Sequence, residues 1–510
     1  MKNKLLHQNT WWLGFLIFVV VSLRVIPIWG GSFAFMYDHA RDSLAIWEMA
    51  ALQKPALLGA QTSIPGLYYG PAWYYLALPL NVLFSFHPLA SVLTTVLLAV
   101  IAIVFATRSF DKITTLLLAT SVGLVAAQQS GWSPYLTSIT SIFILTLSQR
   151  LQTTTGRRNF WFAGALMFTL SLSFHFQPAF AIVQLPLVFF ALRSLLNRFS
   201  WREKCILFVV FLTPFLPQVL FEIRHNFHQT TQLWYFVSHY GEEAARVGQN
   251  TVGLERVVEV GRYVLASATS VLPQRIAGFG FVLLVLAAWD WKQHKKTDLV
   301  TTLARVLLVG TFLSYLVIPA KAYYFVGLTP YLIYLFANSI RQLRLPARGV
   351  FVIISILTIV QLGASLQIKE AFLATRNTYA AKQAAVATVV ELAQGEPFVV
   401  YHYVPELYDY TYQILHFREM KNNANYLPVE LAYEPSKTLY LDEYSTKEWA
   451  PSVSSEEQQR IFLVVEADDR VELYQAWLDR VGSGYTVQEA YTINPEITIF
   501  ELEPNADGSE

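Results

Sequence analysis

The sequence predicts a polytopic α-helical membrane protein of about eleven spanning helices, followed by a soluble C-terminal domain of α/β or α+β type. Three observations carry that prediction. Of 510 residues, 54% are hydrophobic and only 14% charged, with a mean hydropathy of +0.39, too apolar to build a watery surface. Apolar runs near the roughly 20 residues needed to cross about 30 Å of hydrocarbon recur through residue 367. The basic residues between those runs collect on alternate connections, the asymmetry that the positive-inside rule describes.

The first run, from Trp11 to about Trp29, follows Lys2 and Lys4. It is too long for a signal peptide core and no small-residue cleavage site follows, so it is read as an uncleaved span. Further runs fall at about 88–106, 113–130, 134–148, 159–175, 178–196, 204–221, 274–291, 299–318, 322–339 and 349–367. The segment 71–86 is apolar but short, is broken by Pro79 and is rich in aromatics. Counting it as a span would invert every later loop. Left out, one face collects Lys2, Lys4, Arg108, Lys112, Arg150, Arg157, Arg158, Arg193, Arg198, Arg202, Lys204, Lys292, Lys295, Lys296, Arg341, Arg344 and Arg348. That face is cytoplasmic, and 71–86 lies in, or re-enters from, the outer interface of a cytoplasmic (plasma) membrane.

Three regions then lie outside: the loop 30–87, the stretch 222–273, and everything after 367. The resulting organisation is a membrane domain over 1–367 and an extracytoplasmic domain over 368–510. In the tail, charged helical patterns at 381–395 and 470–482 alternate with strand-like PFVVYHYV, RIFLVVEA and ITIFELE. Lys plus Arg (37) nearly equal Asp plus Glu (36), which excludes the basic excess of a nucleic-acid binder. The single cysteine, Cys205, excludes an internal disulfide or a Cys-based metal site.

The chemistry concentrates in FAFMYDHARDSLAIWEMA at 33–50. Ala40, Leu44, Trp47 and Ala51 recur at helical spacing and are expected to face lipid, with Asp38, Asp42 and Glu48 toward the other side. Asp38 stands where an acid can cap a helix start, and Arg41 with Asp42 reads as a local surface ion pair. Arg24, within the first span about a turn from its outer end, is within reach of the membrane surface.

The strings YDHARDSLAIWEM (37–49) and GLYYGPAWYYLALPLNVLF (66–84) resemble the opening of the GT-C membrane glycosyltransferases, specifically the bacterial relatives of protein O-mannosyltransferases and lipid A aminoarabinose transferases. SGWSPYLTSI (130–139), LSFHFQPAFAIVQLP (172–186), FEIRHNFHQT (221–230) and YYFVGLTPYLIYL (323–335) follow in the same order, so the likeness spans most of 10–367. The resemblance implies transfer of a sugar from a polyprenyl-phosphate donor to a lipid, glycan or protein acceptor at the outer membrane face. An acceptor hydroxyl needs a carboxylate to take its proton, and a departing phosphate needs a cation or N–H donor to meet its charge.

By position Asp38 matches the family's catalytic acid. Arg41, Asp42 and Tyr69, near the mouth of the first loop, are candidate substrate contacts. Lys321, the one cation in the short turn PAKAYY, is the best-placed phosphate ligand; Tyr324 follows it, and Arg224 and His225 stand just past a span end. His175 lies at a span end beside Pro178 as a further contact. Where many members carry a second acid, this chain has His39, which leaves no cofactor certain and a divalent metal possible. Two other readings stay open: a transporter or flippase of a lipid-linked substrate, disfavoured by the absence of internal repeats, and an oligosaccharide ligase.

Overall fold

The computed structural model describes residues 2–240, 251, 253–272, 298–342, 375–396, 398–406, 409–422, 428–432 and 460–504, with scattered positions between 281 and 363. The spans expected at 274–291 and 349–367 lie largely outside the described residues. The chain divides into two compact units.

The first unit comprises Met1–Ile26, Ala56–Leu76 and Val92–Ala364 and is helical among its described residues. Three helices, Leu89–Ala106, Pro178–Leu196 and Trp201–Arg224, are long and apolar enough to cross a membrane. Thr10–Val25, Ala72–Leu83 and Leu299–Tyr315 are shorter apolar helices. At 1.5 Å per residue a 12-residue helix such as Ala72–Leu83 reaches only about 18 Å, well short of a bilayer core.

Buried polar groups tie these helices together, as they must where no water can satisfy them. Gln184 donates to Ser141 Oγ at 3.1 Å and to the Tyr331 hydroxyl at 3.0 Å, linking three helices. Arg24 is fully buried rather than reaching toward the surface. Its Nε and Nη2 donate to Gln128 Oε1 at 2.8 and 2.7 Å, and its Nη1 to the Ala119 carbonyl at 2.9 Å. A guanidinium with such acceptors close by satisfies its donors inside the protein and has no reason to snorkel.

The second unit gathers Pro27–Pro55, Ala77–Ser91 and Ser365–Glu510. Its centre is a five-stranded sheet in the order β2-β1-β3-β5-β4, with β1 Phe398–Tyr403, β2 Pro428–Ala432, β3 Arg460–Glu466, β4 Tyr485–Asn494 and β5 Ile497–Pro504. β1 runs parallel to both β2 and β3, whereas β3 to β5 and β5 to β4 are antiparallel. The near-continuous apolar runs of β1 and β3 are what strands covered on both faces require. Val399, Tyr403, Ile461, Leu463, Trp477, Val481 and Leu502 form the core.

Early chain is woven into this unit. The Phe35 N–H donates to the Asn377 carbonyl, Tyr379 N–H to Phe33 and Ala380 N–H to Gly31. Gly31 has φ +84°, and a Cβ there would lie 3.0 Å from the Tyr379 ring, so a side chain is excluded by both conformation and space.

The Tyr37–Ala51 helix does not turn its apolar face to lipid. Ala40, Leu44 and Trp47 are buried, and the helix packs on the Tyr410–Asn422 helix of the same unit. Trp47 stacks on Phe86 at 5.0 Å and meets Phe417 edge-on at 6.5 Å. The same stripe that reads as an interfacial face serves here as a protein-packing face, and periodicity alone does not distinguish the two.

Candidate active site

Asp38 lies in the first turn of the Tyr37–Ala51 helix, but the N-cap position is Met36, whose side chain makes no cap. The carboxylate of Asp38 meets Arg41, with Oδ1 2.8 Å from Nη1. The other guanidinium nitrogens, Nε and Nη2, donate to Asp42 Oδ1 at 3.1 and 2.9 Å. Arg41 also sits over the Tyr37 ring, 5.4 Å from its centroid, and donates to the Tyr37 hydroxyl at 3.3 Å. Asp42 is 1% exposed, so the Arg41–Asp42 contact is a buried clamp and not a surface pair. With the guanidinium fixed from beneath, the Asp38 side chain, still 30% exposed, is held against it. Burial, then the charge of Asp38, raises the Tyr37 hydroxyl's pKa, so it keeps its proton.

Beside this helix the unit buries further charge that the sequence did not single out. Lys382 and Glu466, each 1% exposed, pair at 2.8 Å. Lys382 also donates to Thr411 Oγ1 at 3.2 Å, and the Tyr412 hydroxyl donates to Glu466 at 2.9 Å. His402 gives its Nδ1 proton to Asp409 at 2.8 Å, and its Nε2 lies 3.1 Å from His416 Nε2. Burial and the neighbouring His402 push the His416 pKa well down, so His416 is neutral.

Glu406, three residues past β1, is the remaining acid. Burial raises its pKa; Lys382 opposes that, Glu466 adds to it, the Tyr37 backbone N–H opposes it, and Asp38 adds to it again. Its Oε2 is buried with no hydrogen-bond partner among the described residues.

The other sequence candidates belong to the first unit. Tyr69 lies in a small turn of strand-like chain: its N–H donates to Ala60 O and its carbonyl accepts from Gly59 N, both at 2.8 Å. The next residue, Gly70, lies against His175: a Cβ at Gly70 would be 1.9 Å from the ring Nδ1. His175 is 1% exposed and neither ring nitrogen has a hydrogen-bond partner among the described residues. The same loop reaches the Leu216–Arg224 and His228–Ser238 helices, where Gln229 Oε1 accepts from Tyr68 N–H at 3.0 Å. The Glu222 carboxylate takes the Gln229 and Thr230 N–H groups at 3.0 and 2.9 Å, a side-chain cap supplied from the preceding helix.

Arg224 and His225 are exposed at the end of that preceding helix, and His225 Nδ1 lies 2.9 Å from the Phe221 carbonyl. Lys321 begins the 3-10 helix Ala322–Leu328 and is half-buried. Tyr324 is buried between Tyr315 and Tyr323 at 6.0 and 4.7 Å. Tyr69 and His175 are thus brought to one locus through Gly70.

The sequence matches no protein-family profile and no curated protein. Solved structures do match. ArnT from Cupriavidus metallidurans bound to undecaprenyl phosphate aligns over 96% of this chain and 98% of its own, at 14% identity and a TM-score of 0.59. Its apo state aligns over 97% and 98% with the same identity and score. The fold is that of the GT-C membrane glycosyltransferases. The Archaeoglobus fulgidus oligosaccharyltransferase complex with zinc and sulfate covers 94% of this chain and 72% of its own at 12% identity. Its TM-score of 0.46 is too low to add to that conclusion.

Within the GT-C fold, His39 is the residue whose place suggested a metal. Its ring does not fit one. His39 is 2% exposed and packs against Phe33 and Phe35 at 6.0 and 5.3 Å. Its Nε2 lies 3.1 Å from the Pro88 carbonyl, to which it donates. Burial lowers its pKa to about 4, with the Ala34 and Pro88 backbone groups opposing. Among the described residues no cluster of three or more His, Cys, Asp or Glu side chains forms a cation site. His39 reads as a core residue whose Nε2 is satisfied by the Pro88 carbonyl, while its buried Nδ1 has no hydrogen-bond partner among the described residues.

Proposed function

We propose that this chain transfers a sugar from a polyprenyl-phosphate donor to a lipid, glycan or protein hydroxyl at the outer face of the cytoplasmic membrane, with Asp38 as the base. The proposal includes about eleven spans, a cytoplasmic amino terminus and an extracytoplasmic domain after residue 367. The observation that carries it is the clamped, partly exposed Asp38 carboxylate in a chain with the fold of an ArnT that binds undecaprenyl phosphate.

Asp38 takes the acceptor's proton as the acceptor oxygen bonds to the anomeric carbon, and the carbon–oxygen bond to the carrier phosphate breaks. That phosphate leaves as a stable anion and needs no proton. Arg41 keeps the carboxylate aimed while Asp42 keeps Arg41 in place. Lys321, Arg224 and His225 are the proposed phosphate contacts, and Tyr69, His175 and Tyr324 the proposed contacts to sugar and acceptor.

The test is transfer by the purified protein in liposomes, from a polyprenyl-phosphate sugar to a cell-envelope acceptor extract. Asp38→Asn keeps the shape and the bond to Arg41 but loses the base, and transfer falls by about 10²-fold or more. Equal transfer by both proteins removes Asp38 from the mechanism. Movement of an intact lipid-linked sugar across the bilayer, with no new glycosidic bond, favours the flippase reading instead.

A further inference from the structure

The last carbonyls of a helix have no partner within it, and the Leu299–Tyr315 helix in the first unit shows how such groups can be put to use. Beyond it come Leu316, Val317 and Ile318, and then Pro319, which carries no N–H and cannot continue the ladder. Two of the freed carbonyls are taken by one side chain from another helix. Arg256, in Gly253–Thr269, donates from Nε to the Tyr315 carbonyl at 3.0 Å and from Nη2 to the Ile318 carbonyl at 2.7 Å. The Val317 carbonyl accepts from the Tyr240 hydroxyl at 2.8 Å.

The guanidinium is itself held. Arg256 is buried, and its Nη1 meets Glu259 Oε2 at 2.8 Å. The Glu259 carboxylate also accepts from the Thr251 hydroxyl and, at 2.9 Å, from the Tyr263 hydroxyl. Nε, Nη1 and Nη2 are thus each committed, and the buried charge faces a carboxylate. Placed at the negative end of the Leu299–Tyr315 helix, the guanidinium is favoured by the helix dipole as well.

The Gly253–Thr269 helix holds the chain a second time further on. Ser267 Oγ donates to the Phe325 carbonyl at 3.2 Å, and the Tyr263 ring lies 5.4 Å from the Phe325 ring. The Tyr315 ring joins the two holds, 5.0 Å from Phe325 and 6.0 Å from Tyr324. Residues 319–324 therefore form a short arch with both feet fixed, closed by the Tyr324 N–H on the Lys321 carbonyl at 3.0 Å. Lys321 stands on that arch, half-buried. We infer that Arg256 is a positioning residue for Lys321: it caps the Leu299–Tyr315 helix from outside, sets one foot of the arch and so fixes where the Lys321 side chain is presented. With its donors committed to Tyr315, Ile318 and Glu259, Arg256 acts through the arch and not by touching a phosphate.

This inference rests on the reading of Lys321 as a phosphate contact, and its test separates the two. Binding of a polyprenyl phosphate to the full-length protein in detergent is measured for wild type, Arg256→Met, Lys321→Ala and the double variant. Arg256→Met keeps an apolar stem and loses every donor. It raises Kd several-fold, no more than Lys321→Ala does, and the double variant matches Lys321→Ala alone. Hydrogen exchange at the Val317 and Ile318 amides speeds about tenfold in Arg256→Met, the scale of a lost charged cap, with the Thr137–Thr153 helix unchanged as a folding control. Arg256→Lys, which keeps the charge but not the fork of donors, gives a smaller rise in Kd and the same lack of additivity; it replaces Arg256→Met in the cycle if that variant also loosens the control helix. Additive effects in the double variant, or an unchanged Kd in Arg256→Met where Lys321→Ala binds weakly, overturn the positioning role, as does unchanged exchange at 317 and 318. If Lys321→Ala binds the lipid as wild type does, the phosphate reading fails, while exchange at 317 and 318 still decides whether Arg256 holds the arch.

Discussion

Lys382→Met is the perturbation whose size the structure sets most directly. Lys382 and Glu466 are each 1% exposed and paired at 2.8 Å. Removing the ammonium leaves a buried carboxylate whose remaining support is the Tyr412 hydroxyl at 2.9 Å and Arg376 at 4.0 Å. Breaking one side of a buried pair costs about 3–5 kcal/mol. Those two groups offset part of it, so we expect about 3 kcal/mol, or roughly a hundredfold in an opening equilibrium. The double change Lys382→Met with Glu466→Gln removes both charges and should cost only about 1 kcal/mol, from hydrogen bonds left imperfect. Native-state hydrogen exchange at the β1 and β3 amides of the full-length protein reads both. Additive effects in the double variant, or less than about tenfold in the single one, would refute the argument that an orphaned charge drives the loss.

Three other expectations follow from particular contacts. A methyl group at Gly70 would lie 1.9 Å from the His175 ring, so Gly70→Ala should displace that ring and lower transfer at least about tenfold; an unaffected rate places His175 outside the site. His39 in the fold resists protonation, its pKa lowered from 6.5 to about 4 by burial. The unfolded chain therefore binds a proton that the folded one refuses as pH falls below 6.5, and stability drops by about 2 kcal/mol by pH 5. Denaturation at pH 7 and pH 5 measures it, and a slope that persists unchanged in His39→Gln assigns the effect elsewhere. Lys321→Ala should raise the donor KM several-fold, with thermal stability unchanged, because its amine meets no acceptor among the described residues; an unaltered donor dependence rejects it as a phosphate contact.

The membrane character, the helix at Asp38 and three of the strands were legible because they rest on long apolar runs and on periodicity. β1, β3 and β5 follow apolar segments that leave few alternatives. β4 did not announce itself, since most of its side chains are exposed and an exposed edge strand has no alternation to read. The Tyr410–Asn422 helix was hidden for the opposite reason: it buries Thr411, Gln413 and His416, so its inward face looks polar in sequence. The same blindness concealed Lys382, Glu406 and Glu466. A buried charge cannot be told from a solvated one until its partner, dozens of residues away, is known. The lipid-facing reading of Trp47 and the snorkelling reading of Arg24 were corrected by partners of that kind, and the surface-pair reading of Arg41 and Asp42 by the burial of Asp42.

The hydrogen bonds between residues 31–35 and 377–380 bear on how the chain is made. On a ribosome the segment with Asp38 emerges more than 300 positions ahead of the Tyr410–Asn422 helix it packs with. Such distant pairing is slow to close, and until it closes the nascent protein holds a carboxylate without its scaffold. Competence for chemistry would then arrive only once the Tyr410–Asn422 helix has been made and docked, a timing that keeps shorter nascent copies silent at the membrane.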